Sequence, residues 1–205
     1  MAKQRASAGD GAVTFFVALA HEEHARLYRF ELASCEDLLT FDLTAVIARA
    51  PIFDANVHDE PLFLVCTNGR RDLCCAKFGL PVYAAMAEYA TAQTWRTSHI
   101  GGHRFAPTLV ALPHGLIFGR VTTDEVATLV DAYRDGSIYD LDRLRGRSCY
   151  PPIVQAADGY LRKRSGIREL NAFRFDSLKQ IDESAWDVLF SHRTTHAVHT
   201  ILSKR

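Results

Sequence analysis

The sequence predicts an α/β fold built around a β-α-β-β-β-α core. Three observations carry this. Leu62–Cys66 is a continuous apolar run of the kind a buried strand makes. From about Cys75 to Tyr89, the residues Val82, Ala85, Met86 and Tyr89 recur at helical spacing, across a tolerated Pro81. Thr108–Leu112 and Leu116–Val121 are two β-prone runs joined by Pro113-His-Gly115, a tight hairpin. The remaining elements fall into place around these. Thr67-Asn-Gly-Arg70 is a turn, and Thr94–Ser98 is a short β-prone run before the loop that Gly101-Gly102 imposes. Thr122-Thr-Asp-Glu125 opens a helix with a Ser/Thr-x-x-Glu cap, and the helix runs to Arg134 and stops near Gly136. The final hairpin and helix are characteristic of a thioredoxin-like topology.

The flanks extend this core. Val13–Leu19 and Arg26–Leu32 read as strands, and Leu38–Ala50 reads as one helix ended by Pro51. A helix is expected from Pro152 to Arg164, with proline in its first turn. Strands are expected at Ala172–Phe175, Trp186–Phe190 and His196–Ile201, the last two paired. The division is therefore an N-terminal extension over 1–60, a core over 61–136 and a C-terminal extension over 137–205, packed as one globular unit.

Composition excludes several classes. Of 205 residues, 24 are Lys or Arg and 24 are Asp or Glu, a net charge of 0, with 48% hydrophobic residues. Such a chain has too much apolar surface to be disordered, and its neutrality argues against bulk nucleic-acid or membrane-surface binding. Charge is uneven, however: residues 1–61 carry 5 basic and 10 acidic side chains. No apolar run approaches the ~18 residues of a membrane span. Met1–Arg5 is basic and Val13–Ala20 apolar, but Ser7–Gly11 interrupts them, so no signal peptide is expected. The five cysteines, at 35, 66, 74, 75 and 149, are an odd number with two adjacent, which suits reduced thiols in a cytoplasmic compartment.

Four residues carry the chemistry. Cys66 ends a strand, Cys75 lies nine positions later at a helix start, and His99 and His103 lie four apart in the glycine-rich loop. In a thioredoxin-like chain these two loops lie at one end of the sheet, so the pairs can converge. Thiolates with imidazoles make a soft to borderline metal site. The C-x8-C spacing is long for a zinc knuckle, which uses ~2–4 intervening residues. Two cysteines on one iron and two histidines on another form the Rieske ligand set. On spacing alone, zinc, a 2Fe-2S cluster and no metal at all stand open.

Longer stretches are more specific. Leu62-Phe-Leu-Val-Cys-Thr-Asn-Gly-Arg-Arg-Asp-Leu-Cys-Cys-Ala-Lys-Phe-Gly79 resembles the sucrase/ferredoxin-like family of thioredoxin-like 2Fe-2S ferredoxins. Trp95-Arg-Thr-Ser-His-Ile-Gly-Gly-His-Arg-Phe-Ala-Pro-Thr108 is similar to that family's histidine motif, and Leu144-Arg-Gly-Arg-Ser-Cys-Tyr-Pro-Pro152 also matches family members. The resemblance covers roughly 60–165. It implies a 2Fe-2S cluster held by Cys66, Cys75, His99 and His103, with Cys74 inside the motif but not a ligand. It implies an electron-transfer protein served by a redox partner protein, with no nucleic acid and no membrane involved. Two imidazoles in place of two thiolates raise the potential into a range of ~−150 to +300 mV, and their free ring nitrogens make reduction proton-coupled. Sugar hydrolysis, which the word "sucrase" suggests, needs a placed carboxylate pair, and these loops offer only Asp72. The alternatives are a thiol-disulfide oxidoreductase using Cys66 with Cys74 or Cys75, against which the C-x-x-C motif is absent, and a zinc-stabilised binding module.

The other distinctive residues read more plainly. Cys74 is expected to be a buried helix-start residue, and Cys35 and Cys149 packing residues. His192 and His196 flank a hairpin turn, His21 and His24 sit in an exposed acidic loop, and His114 is expected to be exposed. Trp95 and Phe105 are expected to keep water from the histidine loop. Between 62 and 107, Arg70, Arg71, Lys77, Arg96 and Arg104 outnumber Asp72 and Glu88. This rim either docks an acidic partner or simply solvates the loops.

Overall fold

The computed structural model describes residues 12–204, with side chains to residue 200. The basic start at Met1–Arg5 lies outside these residues. The chain begins with an antiparallel hairpin of β1 (Val13–Leu19) and β2 (Arg26–Leu32), in register from Val13↔Leu32 to Leu19↔Arg26. Val17, Tyr28 and Phe30 are buried on it against Val46, and Phe41 meets Phe30 edge-to-face at 4.8 Å.

The helix expected over Leu38–Ala50 is not continuous. Two short 3-10 turns, Cys35–Leu39 and Pro51–Asn56, flank a five-residue helix α1 (Leu43–Ile47). Asp42 is the reason. Its carboxylate accepts a 2.9 Å hydrogen bond from the Ala45 amide and starts a new helix, so the turn before it cannot run on. Arg49, at φ 57°, leaves the right-handed region and ends it.

The central sheet carries the expected core: β3 (Leu62–Cys66), α2 (Leu73–Tyr89), β4 (Thr94–Thr97), β5 (Thr108–Leu112), β6 (Leu116–Gly119) and α3 (Val126–Arg134). Thr122 and Glu125 form the predicted capping box before α3, closed by a 2.7 Å bond from the Thr122 amide to the Glu125 carboxylate. A fifth strand, β7 (Leu144–Arg147), is an addition the sequence reading did not foresee. The sheet order is β4-β3-β5-β6-β7, with β3 and β4 parallel and all other pairs antiparallel. The first four strands thus have the order and directions of a thioredoxin-like core. Phe63, Val65, Leu109, Leu116 and Phe118 of the sheet are buried with Val82 and Met86 of α2 and Leu129 and Val130 of α3.

Beyond β7, α4 (Pro152–Ser165) packs on a second antiparallel sheet of order β10-β9-β8, formed by β8 (Phe173–Gln180), β9 (Ala185–His192) and β10 (Val198–Lys204). Its core is Val154, Ala157 and Leu161 against Phe173, Val188 and Phe190. Two fully buried arginines join the parts. Arg162 pairs with buried Asp158 at 2.9 Å and donates to the Glu169 and Leu170 carbonyls. Arg147 reaches from β7 to the Leu170 carbonyl and to that of Glu22 in the turn of the first hairpin. Among the described residues, no helix is long and apolar enough to cross a membrane.

Candidate metal centre

The site is assembled where β3 gives way to α2. Cys66 is the last residue of the central strand, and Cys75 lies in the first turn of α2, both fully buried. Helix and strand can approach because residue 79 is glycine: a Cβ there would lie 2.1 Å from the Cys66 carbonyl oxygen. The intervening loop is built from its own side chains. Asn68 Oδ1 accepts hydrogen bonds from the Arg70 and Arg71 amides, and Asp72 caps α2 by accepting the Cys74 amide at 2.8 Å.

The histidines arrive from the other side. β4 runs parallel to β3, so residues just beyond Thr97 emerge beside Cys66, and Arg96 Nε donates to Thr67 Oγ1 at 3.1 Å to tie the two strand ends. Gly101 and Gly102 then adopt φ 87° and φ 65°, a left-handed pair that turns the loop between His99 and His103.

The ligand atoms of Cys66, Cys75 and His99 all lie within 4.8 Å of one another. Cys75 Sγ and His99 Nδ1 are hydrogen-bonded at 3.6 Å. Burial first, and then the adjacent Cys66 thiol, push the Cys75 thiol up to about 11. The fourth expected residue stands apart. His103 is exposed at the mouth, its ring centroid 6.1 Å from that of His99, and its Nε2 lies 3.9 Å from Asp72 Oδ2. Asp72 itself is held below the ordinary carboxylate range, chiefly by the Cys74 amide. The structure therefore brings three of the four expected residues together and leaves His103 beside a carboxylate.

The donor set fits a metal. Two buried sulfurs and a half-buried imidazole nitrogen converge, and no carboxylate is among them, a choice that suits zinc or iron–sulfur chemistry and not magnesium or calcium.

Several secondary expectations are corrected. Cys74 is exposed, because the first turn of α2 points Cys75 inward and its neighbour out; Cys35 is exposed on the 3-10 turn that replaces the expected helix. Trp95 packs edge-to-face on Phe16 of β1 at 5.5 Å. His114 is half-buried, with Nδ1 2.9 Å from Tyr133 Oη, since the hairpin turn folds over α3. Among the described residues, His192 and His196 belong to no metal-binding group; His192 Nδ1 accepts the Thr194 and Thr195 amides within its turn. The capping role of Asp72 and the packing role of Gly79 were not read from the sequence. Asp72 was legible as an Asp followed by an apolar helix; the tight approach at Gly79 was not.

Comparison with known proteins bears on this geometry. The family model described as sucrase/ferredoxin-like matches residues 11–146. A protein named altered inheritance of mitochondria protein 32, from Meyerozyma guilliermondii, is 27% identical over 103 residues, which cover 45% of this chain. The match spans only 36% of that relative's length. A thioredoxin-like [2Fe-2S] ferredoxin from Aquifex aeolicus is a structural neighbour at TM-score 0.40 and 18% identity, covering 46% of this chain and 97% of that one. A cysteine-to-serine variant of the same ferredoxin aligns at TM-score 0.36 and 16% identity, over 41% of this chain and 96% of its own. With the family model covering the hairpin, the central sheet and both halves of the site, the chain belongs to the sucrase/ferredoxin-like family.

Proposed function

We propose that this chain binds a 2Fe-2S cluster through Cys66, Cys75, His99 and His103 and serves as an electron carrier. The observation that carries the reading is the meeting of buried Cys66 and Cys75 with half-buried His99 at the end of the central strand. A bound cluster would supply one-electron redox chemistry. The protein's part is to hold two donors on a strand and a helix and two on one glycine-containing loop, and to keep the sulfurs out of water. Cys75, whose thiol resists ionisation in this setting, must give up its proton when a metal binds. The absence of a C-x-x-C pair speaks against a thiol-disulfide oxidoreductase. His103, at the mouth, is the donor through which an electron would meet solvent or partner, and each histidine keeps a ring nitrogen for a proton.

A second reading rests on the compactness of the triangle. Three donor atoms within 4.8 Å also suit a single zinc ion, which would make the chain a zinc-stabilised binding module. Anaerobic purification decides between them. A brown protein with stoichiometric iron and sulfide and a Rieske-like EPR signal on reduction supports the proposal. Colourless protein containing zinc overturns it in favour of the second reading, and metal-free protein with disulfide-exchange activity overturns both. Proton coupling is tested separately, by protein-film voltammetry: the potential is expected to fall as pH rises.

A further inference from the structure

The candidate metal centre is flanked by cations that form no ion pair among the described residues. Among the described residues, none of Arg70, Lys77, Arg96, Arg104, Arg120 and Arg145 forms an ion pair with a carboxylate. Three of them gather on one ring. The guanidinium carbons of Arg145, Arg104 and Arg120 lie 4.5, 4.8 and 5.5 Å from the centroid of Phe105, two residues beyond His103. Cation–π contact explains how each sits on the ring, but not why three like charges share it.

The arrangement is built into the backbone. Arg120 takes φ 62°, outside the usual range for a side chain of its size, and its amide donates to the carbonyls of both Phe105 and Pro107. Residue 119 is glycine, where a Cβ would lie 2.8 Å from Phe105 Cβ and 3.1 Å from Arg145 Nε. Arg145 Nε is buried without a hydrogen-bond partner. The carboxylates that act on Arg145 are engaged by other cations, Asp142 with Lys163 at 2.7 Å and Asp140 with Arg143 at 3.9 Å.

The surface continues on both sides of the centre. One hollow of about 290 Å³, between α2 and the Pro107 loop, is lined by Lys77, Phe78 and Arg120. Another, of about 450 Å³, opens between the residues that follow Cys66 and precede His99, and is lined by Arg70 and Arg96. Leu73, next to Asp72 in the chain, is 80% exposed. Cations dispersed over two hollows, with apolar side chains among them, suit an extended face better than a single small anion.

We propose that this face is the docking surface for an acidic protein, with carboxylates of the partner seated on the Arg104, Arg120 and Arg145 cluster beside the metal centre. The proposal takes its purpose from the electron-transfer reading, since the partner would approach the exposed edge at His103.

The test uses the full chain and a fluorescein-labelled ten-residue peptide rich in Glu and Leu, followed by anisotropy at about 20 mM and about 200 mM salt. Wild type is expected to bind and to weaken as salt rises. The double variant Arg104→Gln, Arg145→Gln is expected to lose affinity about tenfold or more, and Arg70→Gln with Lys77→Gln about threefold or more. Arg164→Gln with Lys179→Gln, exposed cations elsewhere, should bind as wild type. The second double variant guards against misfolding of the first, and both are checked by circular dichroism. Folded variants that bind like wild type overturn the proposal. So does a ten-residue thymidine oligonucleotide that binds more tightly than the peptide. Iron is assayed in the same samples: peptide binding without iron sinks the electron-carrier reading and upholds the surface, whereas iron without peptide binding sinks the surface alone.

Discussion

A methyl group at position 79 would meet the Cys66 carbonyl at 2.1 Å, so the spacing of two sulfurs depends on a hydrogen atom. Gly79→Ala is expected to push α2 away from the end of β3 and to lower both thermal stability and bound metal; full metal content in the variant would show that the approach is not needed. The packing role of this glycine is not legible in the stretch that ends on it, because only the folded chain places it against β3. His103 makes the opposite case. Its four-residue spacing from His99 was plain in sequence, yet its side chain lies by Asp72, away from the buried donors. His103→Cys should retain a cluster and lower its potential by about 100 mV or more, toward the ~−400 mV of all-thiolate clusters, read by voltammetry. An unchanged potential would remove His103 from the ligand set. The exposure of Cys74 was illegible for a simpler reason: adjacent helical residues differ in direction by ~100°, and sequence does not say which of two cysteines faces in.

Elements with strong local signals were readable. The apolar run of β3, the hairpin of β5 and β6, and the cap of α3 all stand where the sequence puts them, because each is decided by residues within a few positions. Thr122→Ala should cost about 1 kcal/mol, seen as a lower Tm, by removing half of the capping box. The failures are elements decided elsewhere. Leu38–Ala50 has the composition of one helix, but Asp42 and the left-handed Arg49 divide it. β7 reads Leu-Arg-Gly-Arg, with no apolar alternation and a glycine at φ 139°, and it is a strand only because β6 offers it a free edge.

On the scale of the whole molecule, buried polar groups carry the pH and stability behaviour. Burial, and then the charge of Arg147, push His114 down to about 4 from its usual ~6.5. The folded protein thus refuses a proton that the unfolded chain accepts, so this contribution to stability is complete above pH ~6.5 and is lost as pH falls toward 4. Urea midpoints at pH 7 and pH 5 should differ more for wild type than for His114→Gln; equal differences would clear His114 of this role. Asp158→Ala should destabilise the fold by about 3 kcal/mol or more in urea titration, since Arg162 would keep a fully buried charge without its partner. The pair itself was invisible in sequence, as an i,i+4 Asp–Arg spacing usually marks a solvated helix face. The strand that the sequence hid has a consequence of its own. β7 covers the outer edge of β6, and its Arg147 reaches carbonyls on both flanks. A chain cut after the predicted core, at residue 136, would bare the backbone amides and carbonyls of β6 along a sheet rim with no side chains placed to discourage visitors. Such a rim recruits strands from other molecules. The short Leu144–Arg147 segment thus occupies the backbone groups that β6 would otherwise leave open.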